Sequence, residues 1–384
     1  MSKTRFLDMP IPASGKATDL FAEIDSFMSL HNIPWENVVG FSSDNCNTMV
    51  GRDNSVLSRV KEKSPHVLSI GCICHLANLC VKAGVKALPM KLDDLLVDIF
   101  YFFQHSSKRL KDYKEFQDFT EVEEEKILNH CPTRWLSLEK VGNRTLSQLP
   151  ALKSYFASHE DVEKPGKVKS IHERLQDPMT ELVLRFMKYI LPIINNFNTV
   201  FQTDEAKIGC LLPEMDRFLR KFLIKFVQMR HVKTADELRN LNFHNKDLQH
   251  GDDMIAIGLD TREVLQDLDV DPGTEKKFFQ GVKGFYEAVV DKMLGKFPFD
   301  DLTLPHLSVL DPSKTETLTY SSIVHLATTF CPTLEAEDIK EDWEDLQLLP
   351  GLTQKQRRPN ELICTGARSW LSRQLLECLS SLSS

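Results

Sequence analysis

The stretch Val38-Val39-Gly40-Phe41-Ser42-Ser43-Asp44-Asn45-Cys46-Asn47 decides how the rest of the chain is read. Val38, Val39 and Phe41 form an apolar run, Gly40 permits close backbone approach, and Ser42 and Ser43 begin a polar edge. That pattern predicts a buried strand ending on an acid. Asp44-Asn45 falls where a strand of an open α/β sheet hands over to a helix, the end at which such sheets hold their ligands. A carboxylate there is placed to take a hard divalent cation through oxygen. Asp and Asn are also preferred helix N-caps, so a capping role for the same pair stays open.

Working outward, Leu20, Phe21, Ile24, Phe27 and Met28 recur at three- and four-residue spacing. They predict a helix from Ala17 to His31, stopped by Asn32-Ile33-Pro34, with a short strand before it over Arg5 to Ile11. Downstream, Met49-Val50-Gly51 reads as a turn, Asp53 as the cap of a helix to about Lys63, and Val67 to Ile70 as a second strand. Helix, strand, helix, strand is an α/β signature. From Cys74 the period turns helical: helices are expected to Leu88-Pro89, over Leu92 to Phe103 and over Lys108 to Phe119. The acidic run Glu121 to Glu125 leads into a third strand, Lys126 to His130. Cys131-Pro132-Thr133-Arg134-Trp135-Leu136-Ser137 follows, then a helix over Leu138 to Leu149. Beyond Pro150 the reading is almost all helical: a polar linker at Asp161 to Lys169, then helices over Leu182 to Phe201, Leu211 to Met229 and Glu275 to Phe297. After Pro350 the period is lost, with one small helix predicted over Trp370 to Leu382.

The chain has 384 residues, 42% apolar and 27% charged, the balance of an ordinary globular protein with room for two or three domains. A formal net charge of −8 argues against a surface devoted entirely to nucleic acid, while local basic faces remain open. No run approaches the roughly 20 apolar residues of a membrane span. No apolar stretch follows Met1-Ser2-Lys3-Thr4-Arg5, and the nine cysteines are scattered, so the reading expects an intracellular protein with free thiols.

Three constellations carry chemistry. Cys72, Cys74, His75 and Cys80 invite a zinc reading, but no second pair follows at finger distance, and burial as packing is the competing account. Arg134-Trp135 pairs a forked cation with a broad ring, suited to phosphate contact and stacking, or to a core Trp beside a surface ion pair. Arg217, Arg220, Lys221, Lys225 and Arg230 put positive charge on one helix, fit for duplex DNA or for a plain solvated face. No phosphate loop is present.

Four stretches, in order, resemble the transposases of the hAT superfamily and the host proteins derived from them. They are Ala17-Thr18-Asp19-Leu20-Phe21, Gly40 to Asn45 with Met49-Val50-Gly51, Cys72-Ile73-Cys74-His75-Leu76-Ala77-Asn78-Leu79, and Thr133-Arg134-Trp135-Leu136-Ser137. The resemblance implies a ribonuclease-H-like core in which three carboxylates hold two divalent metals for phosphodiester cleavage and strand transfer. Asp44 matches the second of those acids, Cys72 and His75 a motif near the active site, and Trp135 the ring that steadies the transposon end. The first acid belongs on a strand upstream of Ala17, where Asp8 is the sole acid. The third belongs in a C-terminal segment that has no counterpart here, since Glu361 and Glu377 lack its context.

The resemblance therefore implies an internal fragment of a domesticated transposase, without the N-terminal zinc finger and the C-terminal dimerisation segment. The expected fold is α/β plus α: an incomplete ribonuclease-H-like core over 1–150, a helical insertion-type domain over 151–346 and a divergent tail over 347–384. One carboxylate cannot organise two metals, so the expected function is that of an inactive, nuclear, DNA- or protein-binding factor, with Arg134, Trp135, Arg217, Arg220 and Lys221 toward DNA. Asp44 is then a vestigial ligand, and no metal or other cofactor is required. Self-association is a further possibility; no membrane and no small-molecule substrate are expected. Two alternatives stand beside this: a residual phosphodiester-cleaving enzyme using Asp44 with Asp8 or Asp53 and Mg2+ or Mn2+, and a helical scaffold that does not bind DNA.

Overall fold

The computed structural model describes residues 6, 8–131, 136–159, 166–203, 207–234, 238–267, 270–310, 320–330 and 340. Among the described residues the chain is mostly helical, with one two-stranded parallel sheet. It divides into two compact units: Met1–Leu76 with Thr199–Arg217 and Lys296–Ser384, and Ala77–Asn198 with Phe218–Gly295. Among the described residues no helix is long and apolar enough to cross a membrane. The tail 347–384, with the helix predicted over Trp370 to Leu382, lies outside the described residues.

In the first unit the predicted leading helix is Ala17–Leu30. It packs Leu20, Phe21 and Ile24 on a small core of Ala17, Val56, Val60 and Val67. Trp35 closes that core by stacking on Phe21 at 5.6 Å and donating its ring N–H to Asp25 at 2.8 Å. The predicted strands pair in parallel as β1, Gly40–Phe41, and β2, Leu68–Ser69, with Gly40 opposite Leu68. Both are shorter than their apolar runs. The backbone contact nevertheless continues past them, because Val39, Phe41 and Ser43 offer carbonyls to the N–H groups of Leu68, Ile70 and Cys72 at 3.0, 3.2 and 2.8 Å.

Two local expectations are corrected here. Met49-Val50-Gly51 is the end of a one-turn helix, Asn47–Val50, with Gly51 after it. The next helix, Val56–Lys63, is capped by Ser55 and not by Asp53. Ser55 Oγ accepts from the Ser58 N–H, and Ser58 Oγ from the Ser55 N–H, both at 3.0 Å, a reciprocal box that satisfies two orphan donors. Asp53 stays in solvent beside Arg52.

The second unit is built on aromatic packing. Helices Leu92–Gln104, Ser107–Phe119, Leu149–His159 and Lys167–Gln176 enclose Phe102, Phe103, Tyr113, Tyr155 and Phe156, with ring centroids 4.9 to 6.1 Å apart. Offset and edge-on pairs of this kind add to the area they bury. The linker expected at Asp161 to Lys169 is corrected at its far end: Lys167–Lys169 open a helix whose Val168, Ile171 and Leu175 are buried at helical spacing. The third strand, Lys126 to His130, does not form among the described residues. Its neighbourhood is neither helix nor strand, and side chains take its carbonyls: Gln148 bonds Glu123, Gln117 bonds Glu125 and Arg144 bonds Lys126, at 2.9, 2.9 and 2.8 Å. Buried polar backbone must be paired, and here buried amides do what a neighbouring strand would do.

The rest of this unit centres on helix Pro178–Phe201, the Phe218 to Phe226 part of helix Leu211–Phe226, and helix Pro272–Leu294. Phe186 meets Phe285 edge-on at 5.2 Å, and Phe226 lies flat on Tyr286 at 5.6 Å. Helix Ile73–Ala87 packs closely against Pro272–Leu294 through Gly84. A Cβ at Gly84 would stand 2.7 Å from Phe285 and Val289, both fully buried, whereas one at Gly284 would meet Ala87 at an ordinary 3.5 Å.

These distances set opposite signs for two similar substitutions. Gly84→Ala should destabilise by about 1–3 kcal/mol through overpacking. Gly284→Ala should stabilise by up to about 1 kcal/mol through helix propensity. Urea unfolding midpoints of the two variants would check this, and equal shifts of one sign would contradict the packing.

Candidate functional site

The chemically distinctive place in the first unit is the carboxyl end of the sheet. The last bond of the ladder, Cys72 N–H to Ser43 O, sets Asp44 and Asn45 beside the turn that opens helix Ile73–Ala87. Asn45 completes the join by donating its amide to the Cys72 carbonyl at 3.0 Å. Gly71 lies opposite, where a Cβ would overlap the Asn45 amide oxygen, so any larger residue would have to displace that side chain. Two motif stretches 27 residues apart thus meet at one sheet end.

Asp44 is exposed and its Oδ1 accepts the Cys46 N–H at 3.2 Å. Bonds from the Cys46 thiol and N–H hold its carboxyl below the usual range, with a smaller pull from His75. The pair Asp44-Asn45 therefore works locally as a turn and a loop tie. Among the described residues no group of three or more His, Cys, Asp or Glu side chains is placed to hold a metal ion. Asp8 bonds the N–H of Met9, and Asp53 faces Arg52.

Cys72, Cys74 and His75 lie together on the first turn of the helix, Cys72 and Cys74 half-buried and His75 exposed. Cys72 stands at the N-cap position, its carbonyl accepting from Leu76 N–H at 3.0 Å. A hydrogen bond from the Cys74 thiol, then the N–H and charge of His75 and the N–H of Cys74, pull the Cys72 thiol down to about 6 against the cost of burial. Cys74, donating to Cys72 and partly buried, is pushed well above the ordinary thiol range. Cys80 is buried away from solvent, which pushes its thiol up to about 12.

Arg134 and Trp135 lie outside the described residues, but the residues on either side of them are anchored. His130, its side chain wholly buried, sits 3.2 Å from Asp93 Oδ1 through Nε2 and 3.3 Å from Ser137 Oγ through Nδ1. Ser137 Oγ also accepts the Cys131 N–H at 3.4 Å.

The basic residues of helix Leu211–Phe226 have several fates. Arg217 is exposed and pairs with Glu214 at 3.4 Å. Arg220 is half-buried and donates to the Val232 carbonyl at 3.1 Å, while Lys221 is half-buried. Lys225 turns inward, donating to the Tyr189 hydroxyl at 2.6 Å. Arg230 belongs to the separate short helix Met229–Thr234.

Residue-by-residue reading missed Asn45, Ser137 and Asp93 as tying groups. Asn45 carried a signal, an amide directly after the strand acid. Asp93, 37 residues from His130, carried none.

Compared with known proteins, the chain matches general transcription factor II-I repeat domain-containing protein 2 of Bos taurus at 21% identity over 226 residues. The match covers 56% of this chain and 22% of that protein, so the chain corresponds to about a fifth of its relative. No family model matches the chain. No solved structure matches it.

Removing the buried imidazole should be expensive. His130→Ala strips two polar partners and leaves a cavity, for an expected loss of about 2–4 kcal/mol. The loss would be read as a lowered urea midpoint. An unchanged midpoint would mean that Asp93 and Ser137 do not depend on His130.

Proposed function

We propose that this chain is a catalytically inactive derivative of a hAT-type transposase that works as a nuclear factor binding DNA or protein. The observation that carries the reading is the meeting of two motif stretches. The Gly40 to Asn45 stretch and the Cys72 to His75 stretch resemble separate pieces of the transposase, and one backbone ladder brings them to the same sheet end. On this reading β1 and β2, with helices around them, belong to an incomplete ribonuclease-H-like core. Asp44 is its surviving acid, and the helical part of the chain is the family's insertion. The distant relative, named for a general transcription factor II-I repeat domain that it contains, is in keeping with a nuclear regulatory role.

Inactivity follows from chemistry. Two-metal cleavage needs carboxylates on both ions, and the sequence supplies one match of three. The Mg2+ or Mn2+ that an active relative would need has no assigned role here. DNA contact, on this proposal, falls to the Arg134-Trp135 stretch, to the exposed Arg217 and to the half-buried Lys221.

A supercoiled-plasmid nicking assay with Mg2+ or Mn2+ tests the first half. The expected result is no nicking; metal-dependent nicking abolished by Asp44→Asn would overturn inactivity. The second half is read by duplex binding across salt. Binding should weaken by orders of magnitude between about 50 and 200 mM salt, and Lys221→Ala should flatten the log–log slope by roughly one. Binding indifferent to both would remove DNA and leave the protein-partner reading.

A further inference from the structure

We propose that Cys72 and Cys74 are a dithiol that hydrogen peroxide converts to a disulfide, making the carboxyl end of the small sheet an oxidation-responsive site. The proposal rests on the thiol arrangement and stands whether or not the chain derives from a transposase.

Three features of position set this pair apart among the described cysteines. The two thiols are in contact and half-exposed, so a small oxidant reaches them, whereas Cys80 is fully buried. Cys72 has the environment of a nucleophile. The N–H groups of Cys74 and His75 and the Cys74 thiol all aim at its sulfur, and anionic sulfur is the reactive form. Cys74 is the reverse, a thiol kept protonated by its anionic neighbour and its burial; once Cys72 is a neutral sulfenic acid that neighbour's hold is gone and Cys74 can ionise to attack. Side chains two apart inside a helix point to different faces, but Cys72 precedes the helix and its sulfur takes a hydrogen bond from the Cys74 thiol, so the two sulfurs already face each other across a Cα spacing of about 5.4 Å, within disulfide range.

The chemistry balances with peroxide as the oxidant. The Cys72 thiolate attacks one peroxide oxygen; an S–O bond forms, the O–O bond breaks, and hydroxide leaves. Sulfur gives up two electrons and peroxide accepts them, leaving Cys72 as a sulfenic acid. The Cys74 sulfur then attacks the sulfenyl sulfur; the S–S bond forms, the S–O bond breaks, and the Cys74 proton departs with the oxygen as water. Two thiols and one peroxide thus give one disulfide and two waters. The Cys72 carbonyl, which accepts from the Leu76 N–H and from the Asn45 amide, belongs to the residue that is oxidised, so the new bond forms at the joint between the two motif stretches.

The test treats the full chain with graded hydrogen peroxide, with and without dimedone, and maps every cysteine by peptide mass. The expected result is that the peptide carrying Cys72 and Cys74 loses about 2 Da, the mass of two hydrogens, before any other cysteine changes. Cys74→Ser and Cys74→Ala, used together in case one folds poorly, should halt at a dimedone adduct on Cys72. Cys72→Ser should give neither product. Labelling of Cys72 by iodoacetamide should rise as pH increases through about 6, because the thiolate is present above that value. Oxidation that begins at Cys46 or another cysteine, or Cys74 variants indistinguishable from the parent, would overturn the assignment.

Discussion

The hydrogen bonds running from Val39, Phe41 and Ser43 to Leu68, Ile70 and Cys72 are the constraint on which the first unit depends. Each is an ordinary amide bond, contributing about 1 kcal/mol net. Their importance is in register. A parallel pairing slipped by one residue would turn Val39 out of the core and carry Asn45 away from the Cys72 carbonyl. The last bond stands where the strand has already ended, and it makes a loop acid and a helix N-terminus neighbours. The hydrophobic cluster under Trp35 and Phe21 then holds the sheet's apolar face, while the exposed backbone of Gly40 and Ser42 is left at the surface.

The second unit solves a different problem, that of keeping an irregular acidic segment against a helical core without a sheet. Gln117 and Gln148, both buried, bond each other at 2.6 Å and reach out to two carbonyls of that segment. Tyr113 adds its hydroxyl to Gln148 at 3.0 Å, and burial pushes that phenol well above its usual range, so it remains a donor. A network of this kind is stable because every member is satisfied; removing one amide would leave several buried groups unpaired. Arg144 closes its outer end against Glu125 at 2.7 Å.

How far the sequence could be read depended on where each partner lay along it. The Ala17 helix was legible because its apolar residues recur locally, and the two strands because their apolar runs are bounded by turn residues. Ser55 was missed because Asp53 is an equally good cap by residue type. The choice between them was made by burial, which a single sequence does not display. Lys126 to His130 looked like a strand because Ile127 and Leu128 are apolar. The glutamines that bond this neighbourhood sit 8 to 25 residues away and carry no periodic signal. The basic helix is the plainest lesson in side-chain direction: Lys225 belongs to the same charged run as Arg217, yet it points at Tyr189 and not at solvent.

The candidate site follows the same logic. Cys72, Cys74 and His75 were visible as a spacing, but that spacing fits no standard zinc site and favoured core packing. The helix geometry separates the three by direction. An N-cap sulfur receives N–H donors that no other position on a helix receives, since only the first turn has unpaired amides aimed outward. Cys74, two residues on, lies within reach of that sulfur and becomes its donor, while Cys80 at the next turn and a half is carried into the core. Asp44, across the joint, is occupied by the N–H and thiol of Cys46. The sheet end thus gathers a carboxylate already used to shape its own turn and a sulfur made nucleophilic by the helix behind it. Neighbouring N–H and thiol donors favour the charged form of both groups, but a carboxylate is already charged near neutral pH, so only at the sulfur does that support change the chemistry.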